Sequence, residues 1–370
     1  MMSKRFPLAI LMALLLFAAA WSGWWYYSAS TARHLLQGWT EDQRAQGFDI
    51  AYERADLSGY PLNVTLTILG FQAAAPDSAW HFSGEKMVVS FPAWRPDRYT
   101  LNSVGPVQAS ATAIPGSTER PISAGELLGD YSLTDRTLRL LTRRVSGPMG
   151  VEIREFGFTG IDTPDGYLAR LEAVDGHFPN WIPQTLPQHI SAAILGFRLD
   201  RSFPYDGSGD PETRFAAWRD RGGAIDVTEI AAVWGDLNLR GDGTVTLDTA
   251  MRPLASFSLR ARGLAETARR FEQAGMIDKQ VRRAIDLGVN LLSLGGSMGG
   301  EVKLPVTVQD GLLSLGPVAV AEIPPLFGNG PGPSASAAPV PSEPAFPTLA
   351  PPPTVSDDTL NASPPNAPAN

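Results

Sequence analysis

Hydrophobic and polar residues alternate in short blocks along most of this chain. Phe48-Asp49-Ile50-Ala51-Tyr52, Leu62-Asn63-Val64-Thr65-Leu66-Thr67-Ile68 and Leu237-Asn238-Leu239-Arg240 each repeat with a period of two. That period places one side of a strand in a core and the other in water. Further blocks predict strands over 85–91, 107–111, 151–159, 167–174, 224–233, 244–247 and 256–261. Turn formers punctuate them: Leu57-Ser58-Gly59-Tyr60-Pro61, then Gly241-Asp242-Gly243, read as a tight hairpin connection. Asp310-Gly311 joins a final pair of strands over 302–308 and 312–320.

Helical patterns are fewer. A helix is predicted over 212–221, with Pro211 before it and Gly222-Gly223 after it. A helical pair is predicted over 265–273 and 277–294, broken at Gly275, with Val281, Ile285, Val289 and Leu292 on one apolar face.

The N-terminus has a different pattern. Lys4 and Arg5 precede a run over 6–32 without a charged residue, and Trp21, Trp24, Trp25, Tyr26 and Tyr27 cluster near its end. About 20 apolar residues cross a bilayer as a helix, and aromatic rings favour its interface. The run therefore reads as a retained transmembrane signal anchor. A cleaved signal peptide is the competing reading, with Ala18-Ala19-Ala20 as its cleavage site. Both readings export the rest of the chain, and the basic residues before the run hold the N-terminus in the cytoplasm. A separate juxtamembrane helix is predicted over 33–46, with Gly47 as its stop.

The expected fold class is a β-rich α+β protein. Residues 1–32 form its cytoplasmic start and transmembrane helix. Residues 33–327 form one large, mainly antiparallel β domain with a few packing helices, possible as two sub-lobes. Residues 328–370 are rich in Pro, Ala and Ser, with Glu343, Asp357 and Asp358 as their only charges, and read as a disordered tail. The expected address is a single-pass protein of the inner membrane with its bulk in the periplasm.

Composition narrows the chemistry. Net charge is −8, with no dense basic stripe, so nucleic acid is not expected as a partner. The absence of cysteine excludes disulfides, thiolate nucleophiles and Cys-based metal or iron–sulfur sites. Gly295-Gly296-Ser297-Met298-Gly299 matches the G-x-S-x-G elbow, but all four histidines, His34, His81, His177 and His189, lie upstream of it. A hydrolase of that class needs its histidine downstream. Asp206, Ser208 and Asp210 have the spacing of a calcium loop, yet Ala217 stands where the bidentate Glu belongs. Arg240-Gly241-Asp242 spells an adhesion tripeptide that turn chemistry explains. Trp80, Trp94, Trp181 and Trp234 are candidates to bind sugar or lipid, with core packing as the simpler reading. No catalytic, cofactor-binding or metal-binding residue is nominated.

The order of the pieces resembles the family called domain of unknown function 2125, from Gram-negative bacteria. The resemblance rests on Gly47-Phe48-Asp49-Ile50 and Leu57-Ser58-Gly59-Tyr60-Pro61-Leu62. It rests further on Trp234-Gly235-Asp236-Leu237, Gly241-Asp242-Gly243-Thr244-Val245-Thr246-Leu247-Asp248 and the closing Gly311-Leu312-Leu313-Ser314-Leu315-Gly316-Pro317. It implies no activity. A weaker likeness to AsmA-like envelope proteins implies a periplasmic β domain linked to lipid traffic, on fold analogy alone. The expectation is a non-enzymatic scaffold or binding module of the cell envelope, with a lipid or an envelope protein as partner. The alternative is an exported hydrolase with a dispersed carboxylate site.

Overall fold

The structure, a computed structural model, describes residues 5–327 apart from 77, 113–116, 119, 179–181, 205–209, 294–300 and 317. Among these, the first half of the sheet comprises β1 (Asp49–Ala51), β2 (Arg54–Ser58), β3 (Asn63–Ala74), β4 (Trp80–Pro92), β5 (Arg98–Ala111), β6 (Ile122–Ser132), β7 (Thr137–Ser146) and β8 (Glu152–Thr163). The second half comprises β9 (Gly166–His177), β10 (His189–Asp200), β11 (Ile225–Trp234), β12 (Leu237–Leu247), β13 (Pro253–Arg262), β14 (Val302–Gln309), β15 (Leu312–Leu315) and β16 (Val318–Glu322). All sixteen form one sheet in which every strand from β3 onward lies beside its successor, while β1 and β2 share the outer side of β3. Every pairing is antiparallel. The fold is thus a long meander, built largely by short turns, with α2 in the β10–β11 connection and α3 and α4 in the β13–β14 connection. One such turn is Asp310-Gly311, where both residues have positive φ (52° and 78°), as a two-residue hairpin turn requires.

Among the described residues four α-helices accompany the sheet: α1 (Arg5–Ala45), α2 (Pro211–Asp220), α3 (Leu264–Gln273) and α4 (Lys279–Ser293). The last three match the sequence reading. Asp210 caps α2, its carboxylate accepting from the Thr213 N–H at 2.8 Å. It belongs to a helix start and not to a calcium loop; Asp206 and Ser208 lie outside the described residues, as do Ser297, Trp181 and residues 328–370.

Two expectations are corrected. The anchor and the juxtamembrane helix are one continuous helix of 41 residues, because no Pro or Gly interrupts the chain near residue 32. Moreover, among the described residues no helix is long and apolar enough to cross a membrane. The physical reason lies in the aromatic half of the run. Trp21 and Trp25 pack with Ala29 against Val64, Phe91 and Ala93 of the sheet. The indoles of Trp21, Trp24 and Trp25 donate to the carbonyls of Pro61, Ala93 and Asn63 at 2.9, 2.8 and 2.7 Å. The presumed interfacial belt is therefore largely a joint between helix and sheet. Among the residues of α1 whose side chains are described, 11–20 are exposed on every side; at 1.5 Å per residue these ten extend about 15 Å.

The second correction concerns Gly241-Asp242-Gly243. It lies inside β12, and the turn is made instead by Gly235-Asp236. Gly241 and Gly243 sit directly opposite Leu259 and Phe257 on β13. A Cβ on Gly243 would come within 2.3 Å of the Phe257 ring and 2.4 Å of the Ser256 carbonyl. The glycines are there for close approach of a neighbouring strand.

Candidate functional site

Antiparallel register fixes which side chains share a face. One row crosses thirteen strands: Leu57, Leu66, Val89, Leu101, Gly129, Leu140, Phe158, Leu171, Leu195, Ile230, Gly241, Leu259 and Leu304 stand directly opposite one another in turn. Every member is apolar or glycine. Strand spacing of about 4.8 Å makes the path nearly 60 Å along the sheet. The opposite face is polar; there Arg170 on β9 forms ion pairs with Glu172 and with Glu229 on β11.

An apolar face normally lies under a second layer. Here the cover is partial. At the β1–β7 end, Leu66, Ile68, Met87, Val107, Ala124 and Leu127 form a buried cluster, with Leu36 of α1 packed against it. At the other end Trp218 of α2 packs with Leu247 and Met251, and Phe271 of α3 stacks near Trp234 at 5.7 Å. The helix backbones lie closest to β1, β3, β12, β14 and β16, and helix side chains also reach Phe91 on β4 and Trp234 on β11. From β7 through β10 no apolar strand side chain is buried among the described residues; burial resumes at Val227 on β11. Leu140, Phe156, Phe158, Leu171 and Phe197 are half-buried, and Leu195 is 38% exposed. In the row beside them stand Ala173, Ala193 and Ala232, which keep the surface low.

Titratable groups gather elsewhere. Glu53 and Glu85 line a depression of about 400 Å³ with Phe71, Gln72 and Gln108, where β4 and β5 shift register. At the end of β9, His189 Nε2 bonds the Asp175 carboxylate, and Arg154 approaches it at 3.3 Å. The His189 bond holds the Asp175 carboxyl below its usual range, against desolvation and with help from the Arg154 charge. Strands β6 and β7 separate these two groups in the sheet. His34, His81 and His177 are exposed, and no group of three metal-ligating residues occurs among the described residues.

Of the four nominated tryptophans, Trp234 serves packing: it is half-buried and its indole donates to the Pro187 carbonyl at 2.8 Å. Trp80 stacks near Phe48 at 6.0 Å, and Trp94 remains 53% exposed beside Trp21. Sequence reading missed the apolar row because its members come from thirteen separate strands. The only available signal was the alternation itself, which shows that a face is apolar and not whether it is covered.

Fold and face together define a class: an antiparallel meander whose apolar face is packed by helices at both ends and has no buried apolar strand side chain from β7 through β10 among the described residues. A family model described as an uncharacterized protein conserved in bacteria, domain of unknown function 2125, matches residues 25–324. The chain belongs to that family. Neither the curated proteins nor the solved structures yield a match. The likeness to AsmA-like envelope proteins gains no support from these comparisons.

Proposed function

We propose that this protein is a non-enzymatic envelope component that holds the acyl part of a lipid on the open face of β7–β10. The reading rests on one observation: a continuous apolar row whose central members are not buried. Exposed apolar side chains in contact with water are costly, by about 25 cal/mol per Å². Each methylene of a bound chain would contribute about 0.8 kcal/mol, enough for reversible binding of a short segment.

The address supports the same occupant. Leu11, Met12, Leu14, Leu15, Leu16 and Phe17 are all more than half exposed on α1. Such a surface embeds in lipid more readily than it stays in water. In this reading the exposed apolar end of α1 inserts into one leaflet without crossing it and tethers the protein to a membrane surface.

Native mass spectrometry of the purified full-length protein tests the lipid. Co-purified phospholipid is expected, and Leu195→Arg should reduce its occupancy several-fold without loss of fold. A lipid-free wild-type protein would remove the reading. The second reading, a hydrolase, draws on Glu53 and Glu85 in their shared depression; hydrolytic activity lost in Glu85→Gln would favour it.

A further inference from the structure

The polar face carries a cluster of cations that nothing above uses. Register places Arg240 on β12, Arg260 on β13 and Lys303 on β14 directly abreast. Arg262 lies two residues along on the same face, opposite Asn238. Side chains directly opposite one another on neighbouring strands have Cβ atoms about 5 Å apart, and like charges so placed repel. The chain as a whole is acidic, with net charge −8, so this concentration of positive charge runs against its average.

Two carboxylates on or beside these three strands stand near the cations, while Glu229 on the neighbouring β11 is engaged by Arg170. Asp242 lies at the register of Ser258. Glu301, opposite the end of β13, turns into the cluster: Arg240 Nη2 donates to both of its oxygens, at 3.0 and 2.9 Å, and Arg262 approaches at 3.5 Å. The Arg240 bonds hold the Glu301 carboxyl below its usual range, opposed by desolvation and aided by the charges of Arg240, Arg262 and Arg260. Among the described residues, no ion pair is formed by Arg260 or Lys303. A concavity of about 110 Å³ is lined by Asn238, Arg240, Arg260, Arg262 and Glu301.

We infer that Arg240, Arg260, Arg262 and Lys303 form a binding site for a phosphate-type oxyanion. Glu301 already shows an oxyanion held there by two guanidinium groups. A tetrahedral phosphate offers three or four acceptor oxygens to converging planar donors, the geometry that arginine forks match best. It would also neutralise Arg260 and Lys303, which Glu301 does not reach with an ion pair. Asn238 adds a neutral amide at the rim. The phosphate is either free in solution or part of a lipid headgroup; the chemistry of recognition is shared. The site lies on the face opposite the apolar row, so it stands or falls independently of the acyl-binding proposal.

Isothermal titration of the full-length protein with inorganic phosphate, at matched ionic strength in chloride, is the test. One saturable site is expected. Arg260→Gln should weaken it at least tenfold, and Glu301→Gln should tighten it by removing the competing carboxylate. Where Arg260→Gln loses its far-ultraviolet dichroism, Lys303→Gln replaces it, with several-fold weakening expected. Vesicles of phosphatidylcholine with and without phosphatidic acid distinguish the sources. A preference for phosphatidic acid that Lys303→Gln abolishes assigns the site to a headgroup; phosphate binding without that preference assigns it to free phosphate. No saturable phosphate binding, or binding indifferent to both cation variants, overturns the inference.

Discussion

At the scale of single residues, what this chain needs at a position depends on the neighbouring strand more than on its own segment. Gly243 is the clearest case. In sequence, Gly241-Asp242-Gly243 has the composition of a turn, and only the register to Phe257 and Leu259 reveals it as a strand interior. Its backbone does not need positive φ; it needs the absence of a side chain. Gly243→Ala would press a methyl group against the Ser256 carbonyl, which cannot move without disturbing the ladder. Overpacking of this kind costs about 1–3 kcal/mol. Thermal unfolding of the variant should show a midpoint several degrees below the wild type; an unchanged midpoint would mean that the strands have room to separate.

At the scale of elements, regular alternation was readable and interrupted alternation was not. Strands such as β3, β11 and β14 announce themselves through clean period-two blocks. β7 hides because Leu140-Leu141 and Arg143-Arg144 break the period, and Arg144 has φ of 53°, the mark of a local irregularity. β6 loses its pairing pattern near Gly125. β10 carries Ala192, Ala193, Ile194 and Leu195 in a row, apolar on both faces. The helix boundaries were legible from Pro211, Gly275 and Gly47, all of which behave as the sequence implies. Helix α1 was misjudged because tryptophan suits a membrane interface and a protein joint equally well. Three indole N–H groups anchored on carbonyls of Asn63 in β3 and of Pro61 and Ala93 in the adjoining turns decide for the joint. Trp25→Ala removes one of these bonds and the edge contact with Tyr60 at 5.5 Å. Hydrogen exchange over residues 21–32 should then accelerate markedly, while Trp39→Ala, at an exposed position, should leave it unchanged. Equal protection in both variants would show that the joint rests on packing of Ala29 alone.

At the scale of the whole molecule, an acidic chain without cysteine builds a sheet apolar on one face and charged on the other. Helices pack at the two ends of the apolar face, and at its centre, β7 to β10, no apolar strand side chain is buried among the described residues. Sequence alone could establish that such a face exists; which part stays open depends on where four helices land. The central claim is that lipid occupies this opening. Its most direct test is a photo-reactive amino acid at Leu195, with Thr159 on the opposite face as the control, irradiated in living bacteria before lysis. The account predicts a phospholipid adduct at residue 195 and none at residue 159. Incorporation at both positions with no lipid adduct at 195, or with equal adducts at both, would contradict it.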